Sequence, residues 1–93
     1  MVKSFASKET EKIFNREFSK RLPNDTQRLA MRKLWIIHAA KDLNELRVPP
    51  ANHLESLKGN RHGQYSIRIN QQWRICFKWL KGDAYEVEIV DYH

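Results

Sequence analysis

Apolar residues recur in two different rhythms along this chain, and the rhythm changes near residue 50. In the first half the spacing is helical. After a short strand over residues 2–5, Ser7 is the predicted N-cap of a first helix that carries Ile13, Phe14 and Phe18 toward a core. Pro23 and Asn24 interrupt it. From Asp25 or Thr26 a second helix presents Leu29, Met31, Leu34, Trp35, Ile37 and Ala40 as a broad apolar stripe, with Arg28, Arg32, Lys33 and Lys41 outside it. The pattern runs out between Leu43 and Leu46, and Pro49-Pro50 forces extended backbone just beyond.

In the second half the period is two. Residues 65–69, 73–80 and 84–92 alternate apolar and polar positions and predict three antiparallel strands, with Gly82-Asp83 marking a tight hairpin between the last two. Strict alternation puts Tyr65, Ile67, Ile69, Trp73, Ile75, Phe77, Trp79, Tyr85, Val87 and Ile89 on the face that meets the helices. Ser66, Arg68, Arg74, Cys76, Lys78, Glu86, Glu88, Val90 and Tyr92 fall on the other, left open for a ligand. The predicted fold class is α+β, two N-terminal helices packed on one face of a small antiparallel β-sheet, in a single domain over residues 1–93.

Composition narrows the function classes. With 93 residues and 41% hydrophobic content, the chain supports one modest core. It has no apolar run of about 20 residues and no leader-like start, so the expected setting is the cytoplasm, with no membrane partner. Cys76 is the only cysteine, which excludes an internal disulfide, and one thiol with scattered histidines is too few for a structural zinc site. No metal or other cofactor is expected. A net charge of +6 draws polyanions and points to nucleic acid, although lysines also serve solubility alone.

Three clusters fall on the open face or its rim. The loop over residues 53–64 offers Lys58, Arg61 and His62 around Gly59 and Gly63; it reads either as a phosphate cradle or as a solvated turn. Arg74 sits in a strongly apolar strand, where its guanidinium needs a partner: Glu86 or Glu88 across the sheet, or a substrate phosphate. The third cluster is Asp91-Tyr92-His93, directly after the last strand.

These residues carry a resemblance. The string LESLKGNRHGQYSIRINQQWRICFKWLKGDAYEVEIVDYH resembles the HigB "plasmid maintenance killer" toxins of the RelE/ParE superfamily, in which LKG, a following R-x-G, S-I-R-I-N-x-x-W-R-I-x-F and a final D-Y-H recur in this order. The likeness extends to the opening VKSF and to PP-x-N before the loop, and looks strongest toward a mild chromosomal branch of the family. It implies a RelE-like microbial ribonuclease fold and a type II toxin that cleaves mRNA in the decoding site of the ribosome. It further implies a cognate HigA-type helix-turn-helix antitoxin as partner. Lys58 and Arg74 are then expected to face the scissile phosphate, with Tyr92, His93 and Asp91 completing the site. Where some members have a histidine three residues before the loop lysine, this chain has Glu55, and His53 lies two positions earlier.

Cleavage without a metal has the ribose 2′-OH attack its own 3′-phosphodiester, which calls for a base, an acid and stabilisation of the phosphorane. Arg74 and Lys58 suit the charge, while Arg61, Arg68, His62 and Lys78 suit flanking phosphates. An unperturbed imidazole suits proton transfer near neutral pH, which makes His93 a candidate, with its own α-carboxylate expected to favour the imidazolium; Tyr92 and Glu55 compete for the roles of acid and base. The competing functions are a ribosome-binding or assembly inhibitor with little cleavage, a nucleic-acid-binding regulator, and a ParE-type gyrase poison.

Overall fold

The computed structural model describes residues 1–92. Ser7, in extended backbone, accepts the Thr10 N–H at 3.2 Å and starts helix α1 (Lys8–Phe14). The helix stops there because Arg16 takes a left-handed φ of 66° and turns the chain. Phe18, predicted to face the core, falls beyond that turn and is 65% exposed.

Helix α2 (Asn24–Ala39) buries Ala30, Leu34 and Ile37. It ends earlier than the apolar pattern predicts. The Asp42 side chain accepts the Asn44 N–H while the Glu45 carboxylate accepts the N–H groups of Lys41 and Asp42, a capping box that opens a separate 3-10 turn (Leu43–Arg47). That turn buries Leu46. Leu29 and Trp35, assigned to the apolar stripe, stay 37% and 38% exposed, and the Trp35 ring stacks on Phe14 at 4.5 Å.

The sheet has four antiparallel strands in chain order: β1 (Glu55–Ser56), β2 (Gln64–Arg68), β3 (Trp73–Leu80) and β4 (Asp83–Asp91). β2 to β4 are the predicted three. β1 is an addition, too short at two residues to leave a period-two signal. Residues 2–5 run parallel to β4 along its other edge, bridged at Val2 to Ala84 and Phe5 to Val87, and so cover what is otherwise an unpaired strand edge. Lys81 and Gly82 both take positive φ between β3 and β4, as a two-residue hairpin matched to strand twist requires.

Ile67, Ile69, Ile75, Phe77, Ala84 and Val87 meet Ile13, Ala30, Leu34 and Ile37 in the core between the two layers. Strict alternation fails at one place. Lys78 pairs with Tyr85 and Cys76 with Glu88, so β4 holds one more residue than β3 across this stretch, and Glu86 takes a left-handed φ of 52°. The bulge puts Tyr85 opposite Lys78, on the face away from the helices, and corrects the prediction that Tyr85 joins Val87 and Ile89. Ala84, opposite Trp79, takes the core position instead and is fully buried. Among the described residues, no helix is long and apolar enough to cross a membrane.

Candidate functional site

Arg74 lies in β3 on the face away from the helices, yet it is only 7% exposed. Each end of its fork is held. Nε donates to Ser66 Oγ at 2.9 Å, Nη2 donates to the His53 carbonyl at 2.7 Å, and Nη1 lies 3.8 Å from Glu55 Oε1. The expected structural partners serve other cations: Glu86 pairs with Lys78 at 2.6 Å and Glu88 with Arg61 at 3.1 Å. The charge partner of Arg74 is therefore Glu55, brought over it by β1, where Glu55 stands opposite Ser66.

Tyr92 completes this centre. Its ring centroid lies 5.4 Å from the Arg74 guanidinium carbon, within cation–π range, and its backbone N–H donates to the Gln72 carbonyl at 2.6 Å. Arg68 stands directly opposite Arg74 in the ladder, where two like charges repel, and its Nε donates to the Asn70 carbonyl at 3.1 Å. Two arginines facing each other in the ladder, with one half-exposed carboxylate beside Arg74, leave an excess of positive charge, which suits an anion.

The other predicted residues divide. Lys58 caps the 3-10 turn Gly59–Arg61, is exposed, and forms no ion pair among the described residues. His62 follows that turn and is also exposed. Arg61 and Lys78, expected as phosphate contacts, are tied to Glu88 and Glu86. Asp91 pairs with Trp73 in the ladder, so alternation sets it on the opposite face from Arg74 and Tyr92; Gln72 donates to its Oδ2 at 3.2 Å. Its expected place beside Tyr92 in the site is thereby corrected. His93 lies outside the described residues.

The middle of the supposedly open face is covered. Arg61 bridges Gln64 on β2 and Glu88 on β4, and Ser66 and Cys76 between them are fully buried. Burial pushes the Cys76 thiol above its ordinary range; Glu88 adds to this, while Arg61 and Arg74 oppose it. A cleft of about 360 Å³ lies elsewhere, between α1 and α2 beside Phe18 and Arg28. It does not reach Arg74. A single phosphodiester needs a charged ledge more than an enclosed cavity, so the Arg74 centre is the candidate site.

Sequence reasoning missed the two groups that hold Arg74. Ser66 reads as an ordinary polar strand residue, and His53 contributes its backbone carbonyl instead of the imidazole that its position suggests. The left-handed φ of 44° at His53 ends the 3-10 turn Pro50–Asn52 and sets the direction of that carbonyl.

The family model described as the RelE-like toxin of type II toxin-antitoxin system HigB matches residues 3–93. Among curated proteins, Toxin HigB-1 of Vibrio cholerae is 39% identical over 85 residues, 90% of each chain. Endoribonuclease HigB of Proteus vulgaris is 36% identical over 94 residues and covers both chains in full. Among solved structures, the YoeB-YefM complex from Staphylococcus aureus includes a chain with a TM-score of 0.60 at 22% identity, covering all of this chain and 98% of that one. At that identity the likeness establishes the fold alone. The chain belongs to the HigB-like toxins, the RelE-like family of type II toxin–antitoxin systems.

Proposed function

We propose that this toxin cuts messenger RNA on the ribosome, in the cytoplasm, and arrests translation as an endoribonuclease that needs no metal. Family membership supports a toxin, and the relative from Proteus vulgaris carries the endoribonuclease name. The observation that carries the chemistry is the Arg74 centre, a near-buried guanidinium braced on two sides, flanked by a carboxylate and a phenol.

In the proposed reaction the ribose O2′ bonds to the adjacent phosphorus as the P–O5′ bond breaks, leaving a 2′,3′-cyclic phosphate and a 5′-hydroxyl. Arg74 and Arg68, with Lys58 from the loop, stabilise the negative charge that gathers on the phosphorane. Glu55, half-exposed and beside Arg74, accepts the 2′-OH proton. Tyr92 or His93 returns a proton to O5′. In this reading the decoding site supplies the bent geometry that aligns O2′ with O5′. A cognate HigA-type antitoxin holds the toxin in check.

One observation favours a second reading, inhibition by occupancy with slow cleavage. Arg74 is 7% exposed and spends two of its five N–H donors on the protein itself, so little of the guanidinium is open to substrate. Ribosomes programmed with a defined message decide between them. New 5′ ends that depend on the ribosome and vanish in Glu55→Gln and Arg74→Ala support cleavage, whereas arrested translation on intact message selects occupancy.

A further inference from the structure

We infer that Asn52 and Lys33 are positioning residues for the Arg74 centre, acting through the backbone of residues 53–55. The inference rests on the proposed nuclease reading for its functional meaning, while its structural content stands without it. Asn52 is fully buried, and its side chain is committed on both sides. Nδ2 donates to the carbonyls of Leu46 at 3.1 Å and Val48 at 3.2 Å, and Oδ1 accepts from Lys33 Nζ. The next residue, His53, gives its carbonyl to Arg74, and Glu55 lies within ionic reach of it. Two of the four groups around the guanidinium thus hang on a segment pinned at Asn52.

Lys33 is the unexpected member. On an outer helix position a lysine ordinarily snorkels to water or pairs with a carboxylate. Here it is half-buried on α2, it meets a neutral amide, and it forms no ion pair among the described residues. Burial first, and Arg32 beside it second, push its pKa below the ordinary lysine range. The ammonium ties the helix layer to the loop at Asn52, whose next residue reaches Arg74 on the other face of the sheet. The polar contact adds little to a core made of Ile, Leu and Phe; its effect is to fix where the loop sits.

The test uses the full chain and a readout independent of cleavage. In wild type, the Arg74 Nε–H, bonded to Ser66, gives a slowly exchanging nitrogen-15 NMR signal. Lys33→Met keeps the apolar stem and removes the donor. The expected result is faster exchange at Arg74 Nε–H under conditions where the chain stays folded, beyond what the fall in urea midpoint from the unpaired Asn52 oxygen accounts for. Single-turnover cleavage on saturating ribosomes is then about 10- to 100-fold slower at unchanged ribosome affinity, the scale of a small misplacement of a catalytic group. Lys33→Arg restores both. Unchanged Arg74 exchange in Lys33→Met, or no protected signal in wild type, overturns the inference. Should Lys33→Met not fold, Lys33→Gln is compared with wild type by the same criterion. A wild type that cleaves nothing sinks the nuclease reading and leaves the exchange measurement to decide this one.

Discussion

Replacing Arg74 with lysine keeps the charge and removes the fork. The arginine donates to Ser66 Oγ at 2.9 Å and to the His53 carbonyl at 2.7 Å, with Glu55 at 3.8 Å from its third nitrogen. One ammonium on a shorter reach serves only one of these groups. The lost hydrogen bond from a charged donor, with a buried acceptor left behind, costs about 2–3 kcal/mol. Against a total stability of about 5–15 kcal/mol the variant stays folded. With a urea dependence of about 1–3 kcal/mol per molar, its midpoint falls by roughly 1–3 M. The tryptophans report that transition by fluorescence. On programmed ribosomes, loss of guanidinium placement worth about 1.5–3 kcal/mol slows single-turnover cleavage by roughly 10- to 150-fold. A variant within twofold of wild type in both rate and midpoint would show that the fork neither braces the loop nor meets the phosphate, and would refute the reasoning.

Three further outcomes are expected. At Glu86, where φ is 52°, glycine is tolerated or stabilising by about 1 kcal/mol, while valine destabilises by a similar amount, the reverse of ordinary strand preference; urea melts that rank valine above glycine contradict the bulge. Glu9 is held below the usual carboxylate range chiefly by the Ser19 hydroxyl, then by Lys12 and Arg21 against opposing desolvation. Its folded pKa is depressed, so the stabilisation is present above the unfolded value of about 4.3 and is lost as pH falls through and below it. The gap in melting temperature between wild type and Ser19→Ala should accordingly narrow from pH 6 to pH 3; a gap that widens over this range has the wrong sign. Cys76, buried and raised in pKa, should resist alkylation at pH 8 until urea is added, and rapid native labelling would mean that the Arg61 cover is open.

Much of the fold was legible because it rests on long periodic segments. The alternation through residues 65–80 gave β2 and β3, and the stripe through Leu34 and Ile37 gave α2. The misses have local causes. Asp42 and Glu45 form a capping signature that the apolar run through Leu43 to Leu46 obscured, so α2 was extended too far. Phe18 was carried into the core by a spacing that one left-handed residue cancels. The bulge at Glu86 follows from no residue preference, and it shifted Tyr85 to the wrong face. In the site, Arg74, Glu55 and Tyr92 come together, while Asp91 lies across the sheet because adjacent strand residues alternate. Neither the His53 carbonyl nor the Asn52 anchor was readable, since both act through loop backbone that no pattern specifies.

The strap that Arg61 throws from Gln64 to Glu88 has a bearing on how the toxin meets RNA away from the ribosome. By tying down Arg61, with Lys78 likewise occupied by Glu86, it leaves Arg68 and Lys58, with Arg74 once a phosphate replaces Glu55 beside it, as the proposed phosphate contacts that can displace counterions. About three neutralised phosphates on a single strand give a logarithmic salt slope near −2, shallow for so basic a chain. On the proposed reading, naked transcripts should then be held loosely, and a steep salt slope for a ribosome-free transcript would show that the strap leaves more cations free than this.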